Sequence, residues 1–168
     1  DIAEIIKDES TQVVIGDSIE GYNPTHDVCR LLIDRAVKLA SRKEMRRIDN
    51  YCFPLVGNPS VFESDGLRVS QDLSQEDLSQ KAKIATDIAH KFGGQLEMEI
   101  KLSLSHFGLA SFSKEVVAEI NSMKAMKKFE LEPPSYERTG AVKVTQGFYS
   151  AVITYNDHIR PLMEALRT

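Results

Sequence analysis

The part of the chain best equipped for chemistry is Glu20 to Asp27, which reads Glu-Gly-Tyr-Asn-Pro-Thr-His-Asp. A neutral imidazole such as that of His26 can bind zinc. It can equally pack or cap a helix. A catalytic zinc takes about three protein ligands, so His26 by itself is not a metal site. Asp17, Glu20 and Asp27 flank it, and each can be read simply as a solvated carboxylate. Asp27 has a sufficient structural reason to be there, since an acid in a first helical turn interacts favourably with the helix dipole. Glu20, at a strand end, is the better candidate for holding His26 or a substrate hydroxyl. His90, His106 and His158 have no ligand spacing relative to one another and read as structural or surface residues. Ser18 lacks a Gly-x-Ser-x-Gly setting, which argues against a serine hydrolase. The glycines form neither a GxGxxG nor a Walker pattern, so a nucleotide cofactor is not supported.

The flanking pattern says how this segment is positioned. Thr11 to Ile19 contains a short apolar, β-branched core and predicts a buried, parallel strand. Asn23-Pro24 predicts a helix start, with Asn as cap and Pro where its missing N–H is not needed. The helix should run from Pro24 to about Arg42, with Val28, Leu31, Leu32, Arg35, Ala36, Leu39 and Ala40 along its stripe. His26 then sits in the first turn of a helix that follows a strand. In open α/β sheets this is the rim where ligands bind.

Upstream, Ile2, Ile5 and Ile6 have helical spacing. Downstream, Arg46 to Gly57 predicts a second strand, broken by Pro54, and Gly57 to Ser60 a turn. Leu67 to Leu73 alternates as an edge or hairpin strand does. Ser74 with Asp77 predicts a capped helix start. That helix presents Leu78, Ala82, Ala85, Ile88 and Ala89 and breaks at Gly93-Gly94. A further helix follows to near Gly108. Phe112 to Met126 reads as strand then helix. Phe148 to Leu166 reads as helical, with Tyr149, Val152, Ile153 and Ile159 inward and a break at Pro161. The expected fold class is α/β, in one domain spanning residues 1 to 168.

Composition excludes several classes. The chain has 168 residues, 42% hydrophobic and 27% charged, which is ordinary for a globular domain. A net charge of −4 implies no general pull toward nucleic acid. The basic run Arg42, Lys43, Arg46 and Arg47 reads as a solvated helix end. No apolar run approaches the ~20 residues that span a bilayer, and no signal peptide is visible. Two cysteines, Cys29 and Cys52, make no disulfide framework. Cys29, among Val28, Leu31 and Leu32, is expected to be buried as a small hydrophobe. A reducing, cytoplasmic setting is expected. The chain begins with Asp1 and runs at once into a helix, which leads us to expect residues upstream.

EGYNPTHD resembles the second metal motif of the PIG-L/LmbE-like de-N-acetylases, usually Glu-Gly-Gly-His-Pro-Asp-His-Asp. Further similarities follow in order: FPLVG at Phe53 to Gly57, LRVSQDLSQEDLSQKAKIA, HFGLASFSKE at His106 to Glu115, and YERTGAVKVTQGFYSAVITYNDHIRPL. The resemblance implies a Rossmann-like, mainly parallel sheet flanked by helices, with Zn2+ at the carboxyl edge. It implies hydrolysis of an N-acetyl amide on a small molecule or glycoconjugate such as an amino sugar. His26 matches the third zinc ligand. The other two ligands and the general base come from a His-Pro-Asp-Asp-Glu motif on the first strand. That motif is absent from the sequence and is expected upstream, so the fold is expected to be incomplete at its N-terminus. Asn23 stands where the family has a His that stabilises the oxyanion or protonates the leaving amine. Asn can donate a hydrogen bond but not a proton at neutral pH. Thr25 replaces the motif's Asp. The resemblance therefore admits two functions: a zinc deacetylase using His26, Asn23 and Glu20, or a non-catalytic domain of the same type that binds a sugar or protein partner.

Overall fold

The computed structural model describes residues 1–167. The side chains of residues 95, 102, 103, 106, 107, 110 and 111 are outside that description, and the reading of His106 falls outside it with them. The fold is α/β, with a four-stranded mixed sheet and helices against it.

Helix α1 (Ile2–Asp8) leads into strand β1 (Val13–Asp17). Helix α2 (Pro24–Glu44) starts as its sequence dictates, with Pro24 in the first turn and the Asn23 side chain accepting from the Thr25 N–H at 2.9 Å. It ends where Met45 turns left-handed, at φ 49°. Leu31, Ala36, Val37 and Ala40 form its buried apolar side, while Leu32 is more than a third exposed. Val14, Ala3, Ile6, Ala36, Val37, Ala40 and Ile48 join α1, α2 and β1 in one apolar cluster. Small residues permit this closeness: a Cβ on Gly16 would meet Ile33 Cδ1 at 2.9 Å. Fully burying one Leu or Val side chain contributes roughly 1.5–3 kcal/mol.

Strand β2 (Asp49–Phe53) lies parallel to β1, Val13 opposite Asp49 through Asp17 opposite Phe53. Strands β3 (Arg68–Asp72) and β4 (Lys114–Ala118) complete the order β1-β2-β4-β3. Both β4 pairings are antiparallel. These four strands are therefore not mainly parallel, and the cause is the connection between β3 and β4. Helices α3 (Gln75–Phe92) and α4 (Gly94–Phe107) form a hairpin around Gly93, φ 63°, and return the chain to its point of departure. Lys114 pairs with Asp72, so β4 must run back along β3.

The C-terminal third comprises α5 (Ser122–Lys127), α6 (Ser135–Thr145), a π-helical turn at Tyr155–Ile159 and α7 (Arg160–Ala165). Its core packs Met126, Phe129, Tyr136, Tyr155, Ile159 and Met163 against Ile19 and Leu31. The tail is not one helix from Phe148. Ile159 is buried as expected, but Tyr149 and Ile153 are about half exposed. Cys29 is also exposed, because it lies on the outer side of α2, one residue from buried Arg30. The basic run is anchored as well as solvated: Arg46 donates to Thr11 O at 2.8 Å, and Lys43 pairs with Glu4.

One side of the sheet is covered and the other is largely open. Gly16, Cys52, Val116 and Ala118 face the helices. Val13, Ile15 and Val69, on alternate positions, are about half exposed. Strand β1 is also an edge. Asp49 N donates to Gln12 O, and Ser18 N donates to Phe53 O. Alternation then turns the backbone groups of Val13, Ile15 and Asp17 to the other side, where no strand pairs among the described residues.

Candidate functional site

The first helical turn brings His26 back over the carboxyl end of β1. There its Nδ1 meets Asp17 Oδ2 at 2.5 Å. The ring is 40% exposed and the Asp17 side chain 24%. Asp17 thus fills the role expected of Glu20, holding the imidazole. With Nδ1–H donated to a carboxylate, Nε2 is left as the lone-pair nitrogen, the arrangement in which a histidine ligates a metal. Strand-end acid and third residue of the next helix share one rim. That shared placement was the signal that could have singled out Asp17.

Glu20 does something else. Its two carboxylate oxygens accept from the backbone N–H groups of Leu55, Val56 and Gly57, at 2.8, 3.1 and 2.7 Å. The side chain therefore ties the β1–α2 loop to the segment after β2. Gly57 leaves room for it, since a Cβ there would lie 2.8 Å from Glu20 Oε1. Asn23 spends its side-chain oxygen on the helix cap, which leaves Nδ2 as the donor it can offer.

Asp27 is not the solvated acid of the sequence reading. It is 1% exposed, and its Oδ1 accepts from the N–H groups of Glu20 and Gly21 at 3.1 and 3.3 Å. Oδ2 has no partner. Burial pushes its pKa up from 3.8 to about 6, against the lowering pull of those two N–H groups and of Lys128. Tyr136 Oη is also buried and unpartnered, and its pKa is raised by burial and by the Asp27 charge. Gly21, φ 70°, sits between the Phe129 ring and Pro134, where an added Cβ would come within 2.6 and 2.9 Å. Its carbonyl accepts from Tyr136 N and Ser135 Oγ.

Ser18 is buried, with its Oγ unpartnered. His90 and His158 are exposed, the latter accepting from Thr154 N at 3.0 Å. Among the described residues, no group of three or more His, Cys, Asp or Glu side chains is placed to hold a metal ion. The rim contributes one imidazole donor with its orienting carboxylate, fewer donors than a zinc centre requires. Nor is any helix among the described residues long and apolar enough to cross a membrane. In comparison with known proteins, no family model, no curated protein and no solved structure matches this chain.

Proposed function

We propose that this chain is part of a zinc-dependent N-deacetylase domain of the PIG-L/LmbE type, acting on an N-acetylated amino sugar or glycoconjugate. The observation that carries the reading is the Asp17–His26 contact at the carboxyl rim of β1. It presents Nε2 as one metal donor in a fixed orientation. The motif resemblance around His26 supplies the reaction class. Bound zinc would lower the pKa of a water and polarise the acetyl carbonyl.

The remaining ligands have a natural place to come from. The unpaired side of β1 lies next to Asp17, and a strand added there would end beside His26. Parallel additions on that edge would extend the sheet toward the Rossmann-like form that the resemblance implies. Exposed Val13 and Ile15, and exposed Ile2 and Ile5 of α1, offer apolar surface for such a layer. Asn23 Nδ2 would donate a hydrogen bond to the developing oxyanion, with protonation of the amine falling to another group. Glu20 would act by fixing the two loops that frame the rim.

The test uses the protein at its full natural length. Zinc content is measured for the wild type, His26→Ala and Asp17→Asn, alongside acetate release from N-acetylated amino sugars. Loss of zinc in His26→Ala and weakened zinc in Asp17→Asn are expected. Equal zinc in all three would remove His26 from the ligand set and overturn the reading. Zinc retention through His26 without acetate release would favour a non-catalytic binding domain. The cap bond that occupies Asn23, where the family carries a proton donor, speaks for that second reading.

A further inference from the structure

We propose that the cleft between the β1–α2 loop and the start of α6 binds a small molecule through an oxyanion, phosphate or carboxylate, held by Lys128 and Arg138. The cleft has a volume of about 520 Å³ and is lined by Glu20, Lys128, Phe129, Glu132, Pro133, Pro134, Ser135 and Arg138. That volume suits a small-molecule ligand. Its walls are firm. Phe129 is buried and packs edge-on against Tyr155, with ring centroids 5.7 Å apart. Ser135 Oγ donates to Gly21 O at 2.8 Å, and Gly21 lies against both Phe129 and Pro134.

The uncommitted hydrogen-bond donors decide the ligand. Lys128 Nζ is held 4.9 Å over the Phe129 ring and donates to Ile19 O at 3.5 Å. An ammonium has three donors, so this placement fixes the group and leaves donors for a ligand. Arg138 is exposed and joins no ion pair among the described residues. Its planar fork suits two oxygens of one anion. Of the two lining carboxylates, Glu20 has its oxygens filled by three backbone N–H groups. Glu132 alone stays uncommitted, at an exposed position. In formal charge the lining balances, two cations against two carboxylates; what is left for a ligand is the unused donors of Lys128 and Arg138, because the Glu20 charge is already met by three N–H groups. Exposed Pro133, with the edges of buried Phe129 and Pro134 behind it, would contact the uncharged remainder of the molecule.

The experiment needs no metal, so it stands or falls separately from the zinc reading. Amide NMR spectra of the intact chain are followed while inorganic phosphate or malonate is added at constant ionic strength, with chloride as control. At least one of the two should shift the amides around Gly21 and Ser135 saturably; which one does so identifies the anion. Lys128→Gln with Arg138→Gln should weaken that binding at least tenfold, while the rest of the spectrum shows the fold intact. Glu132→Gln should tighten it. No saturable shift with either anion, an equal response to chloride, or undiminished affinity in the double variant would overturn the proposal.

Discussion

Replacing Asp27 with Asn should make the protein more stable at neutral pH, an unusual outcome for a fully buried, hydrogen-bonded residue. Asp27 holds two loop N–H groups with Oδ1 but leaves Oδ2 unpartnered in the interior. Its pKa rises from 3.8 to about 6 on folding, a shift of about two pH units. At 1.36 kcal/mol per unit, the buried charge costs ~3 kcal/mol at pH 7. The direction follows from proton uptake. Between pH 3.8 and about 6 the folded protein keeps a proton that the unfolded chain has lost, so stability falls as pH rises through this window. Asn retains the accepting oxygen and puts an uncharged NH2 in place of the unpartnered Oδ2, which also removes the negative charge felt by the unpartnered Tyr136 hydroxyl. Thermal unfolding at pH 7.5 should show a gain of up to ~3 kcal/mol, roughly 6 to 12 °C for a domain of this size. Below about pH 3, a full unit under the unfolded-state value, the gain should nearly vanish, because the wild-type carboxyl is then neutral in both states. A variant less stable than wild type at pH 7.5, or a difference that does not change with pH, would refute the reasoning.

Gly21→Ala should destabilise the chain by about 2–4 kcal/mol in urea unfolding, since it adds strain at φ 70° to a Cβ 2.6 Å from the Phe129 ring. An unchanged midpoint would mean that the loop yields freely. Glu20→Ala removes the acceptor of three backbone bonds; with water able to replace part of it at an exposed position, the cost should be about 1–3 kcal/mol. Its specific signature is faster hydrogen exchange at Leu55, Val56 and Gly57, with β2 still protected.

The sequence announces its helix starts well because they are local. Asn23-Pro24 and Ser74 with Asp77 cap α2 and α3 as their side chains require. The strand cores also lie within the expected stretches Thr11 to Ile19, Arg46 to Gly57 and Leu67 to Leu73. Non-local effects are harder to read. Nothing near β3 says that a helical hairpin will bring Lys114 back beside Asp72, and that return decides the antiparallel half of the sheet. Helix α6 escapes notice because Thr139, Gly140, Val142, Val144 and Thr145 are weak helix formers, held by packing such as Gly140 against Val152. At the site, the helix placing His26 was legible, and the only hint of its partner was that Asp17 ends the preceding strand. Asp17, Glu20 and Asp27 look alike in sequence; only the fold assigns one to the ring, one to a loop and one to the interior.

The bare flank of β1 also has a consequence for handling the chain in solution. A short ribbon of valine and isoleucine with main-chain groups turned outward is a template on which extended peptides, including other molecules of the same kind, can stack. Crowding should therefore promote sticking at high concentration, and a lysine introduced at Ile15 should relieve it by making that stacking electrostatically unfavourable.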